Sequence, residues 1–203
     1  MIDNIFREKL PRFVRPLLKF YKLLELNPNS VTIAGCLTGL ASALFVSQGF
    51  FILGLALWWA GRLLDGTDGI YARHFGKTSE VGAYLDINCD MLAYSAMILA
   101  FFKIWPVLSL NWIIIMALYV LCISGALSLG SLQGPTAHSS SRKLQLAAGL
   151  AEGGETGIFY SCCLVFPNYI QPLSLFWITV LIATVLARAT LAFQSLNKER
   201  SLR

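Results

Sequence analysis

Four aspartates stand out in a chain that is otherwise poor in charge: Asp65 and Asp68 lie three residues apart, and Asp86 and Asp90 four apart. On a helix each spacing puts its pair on one face. Their surroundings are apolar, and an ionisable group in a membrane span costs about 2.5–3.5 kcal/mol even on the lenient insertion scale. Four together therefore need a chemical reason. Asp65 precedes Arg73 by eight residues and Asp90 follows Gly82 by eight, so both sit roughly 12 Å in from their expected helix ends at 1.5 Å per residue. Two antiparallel helices can aim all four carboxylates into one cavity, where like charges stay ionised only if cations are bound. Hard oxygen ligands favour Mg²⁺, with Mn²⁺ or Ca²⁺ as competitors. The alternative is a set of helix-end carboxylates snorkelling to water, which fits Asp90 poorly because of its depth. Gly66, Gly69, Gly76 and Gly82 surround the same stretch and allow close approach of a ligand or of another helix. Arg73 at the mouth suits phosphate oxygens.

The elements that must position these groups follow from composition. The 203 residues are 56% hydrophobic and 13% charged, with a mean hydropathy of +0.64, which is far more apolar than a soluble core requires. The expected fold is an all-α integral membrane protein with six transmembrane helices, at about Ser30–Gln48, Phe50–Ala72, Gly82–Lys103, Asn111–Leu132, Ala147–Phe166 and Pro172–Phe193. Residues 1–26 carry six Lys and Arg residues among Phe, Leu, Val and Tyr, the composition of an interfacial amphipathic segment on a membrane surface. No cleavable leader is expected, because these charges come before any long apolar run. Asn27-Pro28-Asn29-Ser30 is a turn that can cap the first span.

Lys103 is the sole cation near the proposed outer loops. The net charge of +5 thus gathers on the inner face, predicting a cytoplasmic N-terminus and an active site facing the cytoplasm across the inner membrane. The basic face meets anionic headgroups, and nothing points to nucleic acid. Cys36, Cys89, Cys122, Cys162 and Cys163 form no CxxC pair and read as small buried thiols. His74 and His138 are isolated and expected in loops. With no internal repeat, the chain reads as one domain, 1–203, whose bundle occupies 30–193.

Taken in order, the residues Asp65-x2-Asp68-Gly69-x2-Ala72-Arg73-x8-Gly82-x3-Asp86-x3-Asp90 resemble the signature of the CDP-alcohol phosphatidyltransferase family at all eight specified positions. The resemblance implies that Asp65, Asp68 and Asp86 ligate metal. It makes Asp90 both the completing ligand of a two-metal cluster and the base that takes the acceptor's proton. Asp65, Asp68, Gly69, Ala72, Arg73 and Gly82 would bind the cytidine diphosphate group. The implied reaction moves a phosphatidyl group from a CDP-activated lipid such as CDP-diacylglycerol to an alcohol, in phospholipid biosynthesis, and the implied assembly is a homodimer. Acceptors in the family include glycerol phosphate, inositol, inositol phosphate, serine and choline. Candidate acceptor residues are Arg142, Lys143, Glu152 and Glu155. The stretch around the two glutamates resembles one in bacterial members of unsettled acceptor. A catalytically inactive relative and an intramembrane prenyltransferase are the alternatives carried forward. A transporter fits poorly, because the acids sit at one leaflet and no inverted repeat is present.

Overall fold

The computed structural model describes residues 15–132 and 153–201, and among them all regular structure is helical. The helices are α1 (Arg15–Leu23), α2 (Pro28–Ser47), α3 (Phe51–His74), α4 (Glu80–Ile104), α5 (Ser109–Leu132), α6 (Gly153–Val165) and α7 (Ile170–Ser201). Single 3₁₀ turns at Pro106–Leu108 and Pro167–Tyr169 lead into α5 and α7.

Among the described residues four segments are long and apolar enough to cross a membrane: Pro28–Ser47, Glu80–Ile104, Pro106–Ser128 and Pro167–Gln194. The expectation of six spans is therefore met at four. α3 has 24 residues, about 36 Å at 1.5 Å each, but Arg62, Asp65, Asp68 and Arg73 crowd its second half. Only 13 residues of α6 are described, short of the roughly 20 a span needs.

Local chemistry sets the helix starts. Asn27 caps α2, its side chain accepting from the amide of Asn29 at 3.2 Å, and Pro28 takes the first helical position. Ser79 caps α4 by accepting from the Gly82 amide at 3.0 Å. Between α3 and α4 the chain turns in the five residues 75–79, with Gly76 at φ +65°, a left-handed conformation that favours glycine.

α2 is the organising element. Both α3 and α4 pack against it far more than against each other, so the α3–α4 hairpin is held open along one side. The α2–α3 crossing is close enough that a Cβ on Gly61 would lie 3.0 Å from the Gly35 carbonyl oxygen, and one on Gly35 3.2 Å from that of Gly61. Behind the hairpin lies an aromatic core. Trp58, Phe101, Trp112 and Tyr160 are fully buried, with Tyr160 edge-on to Trp58 at 4.9 Å and Phe159 stacked on Trp177 at 4.8 Å. Large apolar side chains such as Ile52, Val107, Leu110 and Phe176 face outward, the arrangement lipid demands. α1 docks beneath α3: Leu18 and Tyr21 bury against Val31, Ile70 and Tyr71, and the Tyr71 hydroxyl donates to the Leu26 carbonyl at 3.0 Å. Lys19, Phe20, Lys22 and Leu23 stay exposed.

Candidate active site

The gap between α3 and α4 is where the carboxylates meet. Asp65 and Asp68 from α3 and Asp86 from α4 each bring a carboxylate oxygen within 4.8 Å of the other two. Such a set of hard, anionic oxygens on two rigid helices fits a divalent cation, and without one the three charges would repel. α2 contributes to the group as well. The Thr32 hydroxyl donates to Asp68, which is otherwise buried.

Asp90 stands apart from the three. It lies one helical turn beyond Asp86, and both of its oxygens are occupied: Oδ1 accepts from Arg62 and Oδ2 from the Tyr94 hydroxyl at 3.3 Å. Arg62 Nη1 also lies 3.4 Å from Asp65 Oδ2. Its guanidinium packs over the rings of Trp58 and Tyr94, at 5.1 and 5.2 Å from their centroids. Sequence reasoning passed over Arg62. The signal was present, since an arginine inside an apolar run needs a partner and Asp65 follows it by three.

Two cavities flank this array. The first, about 210 Å³, is lined by Pro28, Asn29 and Thr32 of α2, Asp68, Gly69, Ala72 and Arg73 of α3, Lys77, Thr78 and Ser79 of the turn, and Gly82, Ala83 and Asp86 of α4. It gathers five of the six residues expected to bind the nucleotide, Asp65 being the exception. It adds Asn29, Thr32 and Lys77, which local spacing could not place. The second, about 150 Å³, lies on the far side of Asp90 and is lined also by Met91, Tyr94, Tyr119, Cys122, Ile123, Ala126, Gly153, Thr156, Leu181 and Arg188. Arg188 on α7 is 9% exposed and donates to the Cys122 carbonyl at 2.5 Å. A network of hydroxyls stiffens this wall: Tyr119 and Tyr160 share a hydrogen bond of 3.0 Å, Trp177 donates to Tyr119 at 3.1 Å, and Tyr160 to the Tyr94 carbonyl at 3.1 Å. Of the expected acceptor residues, Arg142, Lys143 and Glu152 lie outside the described residues. Glu155 is half-buried at the start of α6, whose Gly153 and Thr156 line the second cavity.

The sequence profile described as CDP-alcohol phosphatidyltransferase matches residues 25–187, a stretch that holds the carboxylates and nearly all of both cavities. The chain belongs to the CDP-alcohol phosphatidyltransferase family. It is by that membership a membrane-embedded transferase of phospholipid synthesis. Among similar proteins, inner membrane protein YnjF of Escherichia coli is 25% identical over 177 residues, 83% of this chain and 84% of its own length. Archaetidylinositol phosphate synthase of Pyrococcus horikoshii is 37% identical over 92 residues, 43% of this chain and 48% of the relative. Phosphatidylinositol phosphate synthase of Mycobacterium marinum is 33% identical over 92 residues, 45% of this chain and 39% of the relative. The chain thus matches less than half the length of these two synthases. The fold is shared with Mycobacterium tuberculosis phosphatidylinositol phosphate synthase. Its structure with CDP-DAG bound has a TM-score of 0.59 at 22% identity, covering 88% of this chain and 91% of that one. Its complex with manganese and citrate has a TM-score of 0.58 at 19% identity, covering 86% of each.

Proposed function

We propose that this family member, as a single domain crossing the membrane six times, transfers the phosphatidyl group of CDP-diacylglycerol to an alcohol and releases CMP. The observation that carries the reading is the group formed by Asp65, Asp68 and Asp86 beside a cavity lined by Gly69, Ala72, Arg73 and Gly82. The small residues leave room for the nucleotide, and Arg73 and Lys77 offer charge to its phosphates. Mg²⁺ is the proposed ion; when bound by the three aspartates, with Asp90 as the further ligand of a two-metal cluster, it supplies neutralisation of the diphosphate and of the charge developing on phosphorus. The acceptor occupies the second cavity, with its hydroxyl at Asp90. As its oxygen bonds to the phosphatidyl phosphorus, the bond from that phosphorus to the CMP oxygen breaks and its electron pair leaves with CMP. The acceptor's proton passes to Asp90.

The buried Arg188 supports an acceptor that carries its own anionic group, and the relatives named archaetidylinositol phosphate synthase and phosphatidylinositol phosphate synthase favour a phosphorylated polyol. Arg142, Lys143, Glu152 and Glu155 are proposed to complete that pocket. The basic inner segments support a cytoplasmic active site in the inner membrane, and family membership supports a homodimer. Purified protein, CDP-diacylglycerol, Mg²⁺ and a panel of glycerol phosphate, inositol, inositol phosphate, serine and choline test the reading by CMP release and lipid product. Acceptor-dependent CMP release is expected, greatest with a phosphorylated polyol. Bound CDP-diacylglycerol without CMP release from any acceptor would leave the inactive relative, and consumption of prenyl diphosphate would leave the prenyltransferase.

A further inference from the structure

Arg62 is neither a member of the aspartate signature nor part of either cavity's lining, yet it is the residue that joins the three-carboxylate group to Asp90. Its side chain is only 10% exposed. One nitrogen, Nη1, reaches Asp65 at 3.4 Å, Tyr94 Oη at 3.2 Å and Asp90 Oδ1. The guanidinium carbon lies over the rings of Trp58 and Tyr94, and Trp58 is itself fully buried. Its Nε finds no acceptor among the described residues. Stability is a weak reason for such an arrangement, because a buried ion pair is often no better for folding than apolar side chains of the same volume, and an unsatisfied donor adds a penalty.

Position is a better reason. A lone carboxylate turns easily about its terminal torsion, which is broad and roughly two-fold. Asp90 is tied at Oδ1 by Arg62 and at Oδ2 by Tyr94, which removes that freedom while the residue still borders the second cavity. We propose that Arg62 is a positioning residue for the transfer reaction: through its bonds to Asp65 and Asp90 it holds the Asp90 carboxylate in register between the three-aspartate group and the acceptor's hydroxyl. The inference rests on the function proposed above. A guanidinium suits the task because its planar fork, resting against the Trp58 and Tyr94 rings, keeps its direction, whereas an ammonium on a flexible stem does not.

The test compares full-length wild type, Arg62→Met, Arg62→Lys, Asp90→Asn and the double variant Arg62→Met with Asp90→Asn. For each, CMP release, KM for both substrates, CDP-diacylglycerol affinity and melting temperature are measured. Arg62→Met is expected to lower kcat by about thirtyfold or more while CDP-diacylglycerol affinity changes by less than about threefold. Arg62→Lys should recover part of that loss. In the Asp90→Asn background the added Met should cost less than about threefold, because the carboxylate that Arg62 positions is already gone. Losses that multiply in the double variant, or donor affinity falling in step with kcat, would overturn the inference and leave Arg62 a support of the fold. Should Arg62→Met not fold, Arg62→Lys decides: a kcat at least about fivefold below wild type with unchanged donor affinity upholds the inference, and wild-type kcat overturns it. A wild-type protein that releases no CMP defeats the proposed function as well, whereas an active wild type with indifferent Arg62 variants defeats this inference alone.

Discussion

A hard divalent cation needs charge as well as oxygen from its ligands, so an amide in place of a carboxylate keeps the shape of the site and removes its purpose. Asp65→Asn, Asp68→Asn and Asp86→Asn are each expected to lower CMP release by about a thousandfold or more, an effect of the size that loss of a catalytic charge produces. Near-normal turnover with normal metal dependence in any one of them would remove that residue from the ligand set. Asp90→Asn should behave differently. It loses basicity at a residue held by Arg62 and Tyr94, outside the three-carboxylate group. Turnover is expected to fall by about a hundredfold while CDP-diacylglycerol binding survives. Binding and turnover measured on the same preparation check this, and their joint loss would make Asp90 chiefly a ligand.

At the scale of the helices, catalysis depends on how closely α2 approaches α3 and on how far it keeps α3 from α4. The Gly35–Gly61 crossing fixes the first distance, and Gly61 is followed at once by Arg62 and, four residues on from the glycine, by Asp65. A side chain at Gly61 would meet backbone, which cannot turn aside as a flexible side chain can. Gly61→Leu is therefore expected to destabilise the protein by about 1–3 kcal/mol, the usual cost of overpacking. Activity should fall with it as the turn bearing Arg62 and Asp65 is displaced. Gly125→Ala is the control, because a Cβ there meets nothing within 4 Å. Thermal unfolding in detergent and CMP release on both variants make the comparison, and a Gly61→Leu protein indistinguishable from Gly125→Ala would show that the crossing tolerates more room than this packing implies.

For the whole molecule the governing facts are its lipid-facing exterior and its uneven charge. Chelation should abolish CMP release, and Mg²⁺ or Mn²⁺ added in excess of the chelator should restore it, because three carboxylate oxygens within 4.8 Å of one another repel unless a cation is bound. Activity that persists through exhaustive chelation would exclude the metal-dependent mechanism. Orientation is testable independently of activity. A Thr78→Cys protein without Cys36, Cys89, Cys122, Cys162 and Cys163 carries one thiol in the exposed turn between α3 and α4. A membrane-impermeant maleimide is expected to label it in inside-out vesicles and not in right-side-out ones, and the reverse pattern would turn the active site to the opposite face.

The grouping of Asp65, Asp68 and Asp86 was legible in the amino-acid sequence because charge in an apolar run is costly and helical periodicity makes spacing a statement about faces. The same rules located the capping turn at Asn27–Ser30 and the cores of the long apolar helices, whereas the cap at Ser79, three residues before the expected helix start at Gly82, came only from the structure. Spacing along a helix determines depth and face, but it does not determine which neighbour that face meets. Spacing gave Asp90 its depth and the resemblance its implied role as base, but its surroundings come from tertiary packing, in which α3 and α4 both lie against α2 and Arg62 and Tyr94 close around the fourth carboxylate. The second cavity is a product of tertiary structure altogether: Tyr94, Tyr119, Thr156 and Arg188 come from four helices, and their convergence depends on α5 packing between α4 and α7 and on α6 packing against α3 and α7, which no local pattern encodes.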